Sequence, residues 1–170
     1  MGKNVVVTKF AYCRTYFIRG MWTLEVCVDV LWNAVKRSEV DLVEWWGKNL
    51  KQDSKQPKEL KQWQIQSIDA DSREKWDISV LSYAIRNCAV LRNEEHENLR
   101  ECAKKLSDMR SDCLCHERRA RISFDKYIRI LQTSMKCFKK LIAEREGYMK
   151  CVKQLENITK REIAKNEISA

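Results

Sequence analysis

The stretch Ser123-Phe124-Asp125-Lys126-Tyr127-Ile128-Arg129-Ile130-Leu131-Gln132-Thr133-Ser134-Met135-Lys136-Cys137-Phe138-Lys139-Lys140-Leu141-Ile142 decides the fold class. Its Phe124, Ile128, Leu131, Met135, Phe138 and Ile142 recur at alternating steps of four and three, the spacing of one face of an α-helix. Arg145 interrupts the rhythm, and Met149 and Val152 resume it. This predicts one final helix running from about Ser123 past Val152. So regular a seam docks on a bundle or pairs with another helix as a coiled coil.

Working outward, Phe17, Met21, Leu24, Val28, Leu31 and Val35 mark one face of a long first helix. A second helix is expected from Val40 to Leu50, carrying Trp45 and Trp46. Pro57 suits the first position of a short third helix through Ile68. Asp69 to Glu74 reads as a loop. Asp77 is placed to cap the next helix by accepting from its first free amides, and Ile78, Leu81, Ile85 and Cys88 form that helix's apolar stripe. Asn93 to Asn98 reads as a second loop, with Ser107 as cap of the helix that carries Arg110. Four glycines and one proline leave few turn formers for a chain of short strands. The expected fold is an all-α helical bundle of at least five helices, with no sheet and a long C-terminal helix. Residues 1–142 make the bundle, and residues 143–170 a helical extension suited to a coiled coil.

Composition narrows the function. Hydrophobic residues make up 44% and charged residues 34%, a balance that folds rather than staying disordered. The net charge is +9, with most of the surplus in residues 101–170, and a basic half suits a polyanion. The plain alternative is a solvated, lysine-rich helix face. Eight cysteines are scattered through helical segments, as reduced core residues are, and Lys9, Arg14 and Arg19 break the apolar start a secretory signal needs. No run approaches the ~20 apolar residues of a membrane span. The expected setting is the cytoplasm. Cys113-Leu114-Cys115-His116 has metal-ligand residue types, but no second cysteine pair stands where a zinc site would place one. No metal or other cofactor is expected.

Chemistry concentrates in Leu106-Ser107-Asp108-Met109-Arg110-Ser111-Asp112-Cys113-Leu114-Cys115-His116. Arg110 is a natural phosphate partner, and His116, one of two histidines, titrates near neutral pH. The duller reading has Arg110 reaching a carboxylate, Asp108 or Asp112 being near in sequence, and His116 opening a merely solvated basic run. His96 lies among Glu94, Glu95 and Glu97 and is expected to be exposed. The six tryptophans are too dispersed for a base-stacking platform and are expected to pack in the core.

Two segments together resemble a known family. Trp76-Asp77-Ile78-Ser79-Val80-Leu81-Ser82-Tyr83-Ala84-Ile85-Arg86-Asn87-Cys88 is similar to a pattern of Asp, a Leu-rich helix, then Arg-Asn. The segment from Leu106 to His116 is similar to Leu-x-x-x-Arg-Asn-x-x-x-Gly-His. Both patterns occur in HEPN domains of the type named after the DAZ-interacting zinc-finger ubiquitin ligase, and the resemblance covers roughly residues 10–142. It implies an all-α bundle in which the motif's Arg and His, here Arg110 and His116, form the active site of a metal-independent endoribonuclease. It also implies a homodimer, and it marks Asp77, Arg86 and Asn87 as supporting positions. Ser111 stands where the family has Asn, and Cys115 replaces the small residue before the histidine. A hydroxyl offers fewer hydrogen bonds than an amide. Many domains of this animal type act as non-catalytic partners in immune or regulatory proteins. The alternative function is therefore a helical protein-interaction or oligomerisation module that recruits a partner through its C-terminal helix. A β-strand pairing anywhere between residues 76 and 142 would sink the family assignment.

Cleaving RNA through its own 2′-hydroxyl needs a group to move a proton and a cation to hold the phosphorane charge; His116 and Arg110 supply the two. On an ideal helix six residues advance ~9 Å and rotate ~240°, which puts these side chains on different faces. A working pair needs a helix irregularity or a second copy. RNA itself is expected on Arg118, Arg119, Arg121, Lys136, Lys139 and Lys140.

Overall fold

The computed structural model describes residues 12–49, 60–61, 64, 76–115, 117 and 119–163. Within them the chain forms six α-helices. These are α1 (Arg14–Arg37), α2 (Leu42–Asn49), α3 (Ile78–Asn87), α4 (Glu97–Arg110), α5 (Phe124–Leu141) and α6 (Arg145–Lys160). The chain is an all-α bundle. Most of the segment expected to hold a helix from Pro57 to Ile68, and the loop expected at 69–74, lie outside the described residues.

One expectation is corrected at the helix starts. Tyr12–Cys13 (β1) and Ile122–Ser123 (β2) pair antiparallel, Tyr12 with Ser123 and Cys13 with Ile122. Alternation does not announce so short a rung. Ile122 is fully buried, and the pairing supplies partners for backbone groups that neither following helix can satisfy. Of the rung only Ile122–Ser123 lies between residues 76 and 142; its partner Tyr12–Cys13 lies outside that stretch, and the rung falls outside both motif segments.

Local chemistry sets the helix ends. Asp77 Oδ1 accepts from Val80 N at 2.9 Å, the expected cap of α3. Ser123 Oγ accepts from Lys126 N at 3.2 Å and starts α5. Ser107 does not cap anything: α4 begins at Glu97, after Asn93 has capped a short 3₁₀ turn, so Ser107 is interior to the helix. At the end of α1, Ser38 Oγ donates to Ala34 O at 3.0 Å and Glu39 turns the chain with φ 57°, a left-handed stop made without glycine.

The buried stripes differ in part from the apolar spacing. In α3, Ile78, Leu81, Ile85 and Cys88 are all buried as expected. In α5 the buried face is Tyr127, Ile130, Ser134, Cys137 and Phe138, whereas Phe124 and Met135 are exposed. The reason is Ser134, a polar residue that the apolar pattern skips. Its hydroxyl donates to Ile130 O at 2.7 Å and lies 3.2 Å from Cys27 Sγ, so it is buried without an unmet hydrogen bond. Met21 of α1 is likewise exposed, and Gly20 takes its place against the core. A Cβ on Gly20 would come within 3.1 Å of Ile130 Cδ1 and 3.4 Å of Leu114 Cδ2, so α1 rides close over α5 there.

The single long C-terminal helix is also corrected. The helix stops at Leu141, Ile142 adopts extended backbone (φ −108°, ψ 103°), and α6 begins at Arg145. Arg37 Nη2 donates to Leu141 O at 2.8 Å, occupying one of the carbonyls that the helix end leaves open. The chain then folds back, and α6 packs along α1 and α5 with Leu155 buried in the common core. Tyr127 Oη and Thr159 Oγ1 meet at 2.9 Å across that contact. At its far end, Arg161 lies over the Trp22 ring, 4.2 Å from the centroid.

Candidate functional site

Arg110, the last residue of α4, points at the start of α3. Its Nη1 donates to Ser79 Oγ at 3.0 Å, and its Nη2 lies 3.5 Å from Asp77 Oδ2. Asp77 is thus shared, one oxygen capping α3 and the other facing the guanidinium. The sequence-predicted Arg110 and Asp77 are brought together, and the carboxylate that Arg110 reaches is neither Asp108 nor Asp112. Those two take Lys104 at 2.7 Å and Arg129 at 3.1 Å. Nothing local in the sequence signals the Arg110–Asp77 contact, because it depends on the packing of α3 against α4.

This pair stands at one edge of a groove of about 860 Å³ between α1, α6 and the start of α3. Leu24, Val28, Trp32, Trp76 and Ile78 supply apolar walls, and Glu25, Asp29, Asn33, Arg37, Lys150 and Gln154 supply polar ones. Trp76 is also the hub of an aromatic cluster, its ring 5.3 Å from Trp32 and 4.9 Å from Trp46. Tryptophans dispersed in sequence are in this case gathered in space, as core packing and not as an exposed platform.

Directly after Arg110 the helix widens. Ser111–Cys115 form a π turn, with Cys113 and Leu114 buried and Cys115 exposed. Each residue of a π turn rotates the chain less than an α-helical residue does, so six such steps still leave positions 110 and 116 on different faces. Ser111 opens this turn. His116 itself lies outside the described residues, as does Arg118. Shortly after, Ala120 adopts φ 50°, a left-handed conformation that costs a non-glycine residue about 1 kcal/mol.

The other supporting positions turn inward on their own helix. Arg86 Nε donates to Ser82 Oγ at 3.3 Å, and Asn87 Nδ2 to Tyr83 O at 2.8 Å. His96 is half-buried rather than fully exposed, its Nδ1 2.5 Å from Asn93 Oδ1.

The expected RNA-contacting residues form two exposed groups. Arg119 and Arg121 precede α5, and Lys136, Lys139 and Lys140 lie on its second half, roughly 20 Å further along the axis. Lys140 Nζ is 3.7 Å from Glu101 Oε2, and Lys105 Nζ takes the other carboxylate oxygen at 2.9 Å. The hydrogen bond and charge of Lys105, with Lys140 beside it, hold the Glu101 carboxyl below its usual range. Arg119, Arg121, Lys136 and Lys139 have no carboxylate within ion-pair distance among the described residues.

All eight cysteines are free thiols, and no cluster suited to a metal ion occurs among the described residues. No helix among them is long and apolar enough to cross a membrane. No family model, curated protein or solved structure matches the chain.

Proposed function

We propose that the chain is a HEPN-like, RNA-binding helical module of the cytoplasm, contacting phosphates from both ends of α5. The observation that carries this reading is the exposure of Arg119, Arg121, Lys136 and Lys139 without carboxylate partners among the described residues. Cations held away from intramolecular ion pairs are available to displace counterions from a polyanion. Free cysteines throughout the bundle suit a reducing compartment. The test is fluorescence anisotropy with a generic single-stranded RNA across a salt series. Affinity should fall steeply with salt, and reversing the four charges to Glu should abolish binding at low salt. Binding that survives the reversal overturns the reading.

The finer proposal is metal-independent endoribonuclease activity, with Arg110 steadying phosphorane charge and His116 moving the proton in a homodimer. The Arg110-to-His116 spacing of the resembled motif supports it, with the second copy of the dimer supplying the missing member of the site. Cleavage should proceed in EDTA, leave a cyclic phosphate, and be lost in both His116→Ala and Arg110→Ala. Arg110→Lys should rescue it poorly, because a point charge lacks the two-pronged phosphate contact.

A second reading is a non-catalytic protein-interaction or oligomerisation module of an immune or regulatory system. The observation in its favour is that Arg110 is already engaged by Asp77 and Ser79 and would have to leave both to meet a phosphate. Absence of cleavage, with Arg110→Ala lowering thermal stability, would favour this reading.

A further inference from the structure

Helices α4 and α5 meet through two cysteines. Cys102 Sγ lies 4.0 Å from Cys137 O, and Cys137 Sγ lies 4.0 Å from Cys102 O. The contact is reciprocal: each thiol reaches across the helix interface to the other's backbone carbonyl. Both residues are buried, yet the exposed Glu101, Lys105 and Lys140 are close enough to act on the thiols by charge. The pair therefore sits just under the surface ion cluster. No tertiary role already described uses it.

We propose that Cys102 and Cys137 are a dithiol site that closes to a reversible disulfide with a peroxide as oxidant. The partners are not equivalent. The adjacent Cys137 thiol, with Lys140 and Lys105 beside it, outweighs burial and favours the Cys102 thiolate, whereas the Cys102 thiol and burial push Cys137 up. Cys102 is thus the attacking sulfur. Its thiolate displaces hydroxide from hydrogen peroxide to give a sulfenic acid. Cys137 then attacks that sulfur, losing its proton as the S–O bond breaks and water leaves. Two thiols and one peroxide yield one disulfide and two waters, so the balance closes. Because α4 ends at Arg110 and α5 carries Lys136, Lys139 and Lys140, the bond would pin together the two helices that present these groups.

The test treats the folded full-length protein with graded hydrogen peroxide, then blocks remaining thiols and maps peptides by mass spectrometry. The expected product is one intramolecular Cys102–Cys137 cross-linked peptide, formed in wild type and in Cys115→Ser. Neither Cys102→Ser nor Cys137→Ser should form it. Oxidised wild type should melt about 5–10 °C higher than reduced protein and return on adding dithiothreitol, as closing a loop of this size constrains the unfolded chain. The proposal is overturned if the exposed Cys115 oxidises while Cys102 and Cys137 stay alkylatable after unfolding, or if mapping shows a different pairing. Because mapping uses the wild type, a poorly folded serine variant leaves the result intact.

Discussion

Asp77 and Arg110 are joined across the α3–α4 interface, Asp77 Oδ2 lying 3.5 Å from Arg110 Nη2 while Asp77 Oδ1 caps α3. One carboxylate therefore carries a local duty and a tertiary one. Asp77→Ala should cost about 1–2 kcal/mol in urea unfolding, mostly from the lost cap. Asp77→Asn keeps an accepting oxygen for Val80 N and should lose less than ~1 kcal/mol, the typical worth of a partly exposed ion pair. Equal losses in the two variants would show that the charge and not the cap is what matters.

Leu155 tests whether α6 belongs to the bundle. It is 3% exposed, within the core shared with α1 and α5. Leu155→Ala should destabilise the whole protein by about 2–5 kcal/mol in a single cooperative transition. A negligible effect would mean that α6 stands apart from the core.

Gly20 sits where α1 passes Ile130 and Leu114. Gly20→Leu should cost about 2–3 kcal/mol, since a branched side chain has no room at that crossing. Gly20→Ala is more finely balanced, because better helix propensity opposes the 3.1 Å approach to Ile130 Cδ1. A stable Gly20→Leu protein would refute the close approach.

Burial pushes the Cys27 thiol up from 9.0 to about 12, against a smaller opposite effect of the Ser134 hydrogen bond. Below pH 9 folded and unfolded forms both keep the proton, and stability is unaffected by this group. From pH 9 to 12 only the unfolded chain loses it, so stability should fall by up to about 1.4 kcal/mol per pH unit from this residue. Cys27→Ala should flatten that part of the alkaline stability profile. An unchanged slope would contradict it.

Much of the bundle was legible because helices announce themselves by spacing. The α3 stripe, the Asp77 cap and the Ser123 start of α5 follow from side-chain type and position alone. What was not legible depended on polar atoms with distant partners. Ser134 hides in an apolar face because Ile130 O and Cys27 Sγ receive it, and α5 ends at Leu141 where Arg37 meets its carbonyl. At the candidate site, Arg110 and Asp77 were both named from their motifs, yet their contact is a product of helix packing. The Cys102–Cys137 approach is equally silent in sequence, since nothing in the local pattern distinguishes these two cysteines from the other six.

The short β1–β2 rung joins the start of α1 to the start of α5, and α1 then lies along α5 and α6. As a ribosome releases the chain, α1 ends at Arg37 and has to wait for α5, which begins only at Phe124, before its main neighbour exists. The α3–α4 pair and then α5 are nearer in sequence and can assemble ahead of it, because short loops close at lower entropic cost. Until α5 follows, α3 and α4 give the apolar face of α1, with Leu24, Cys27 and Leu31, only part of its cover. Folding therefore closes the α1–α5 contact late, and the face of α1 that carries Leu24, Cys27 and Leu31 is open to off-path association until it does.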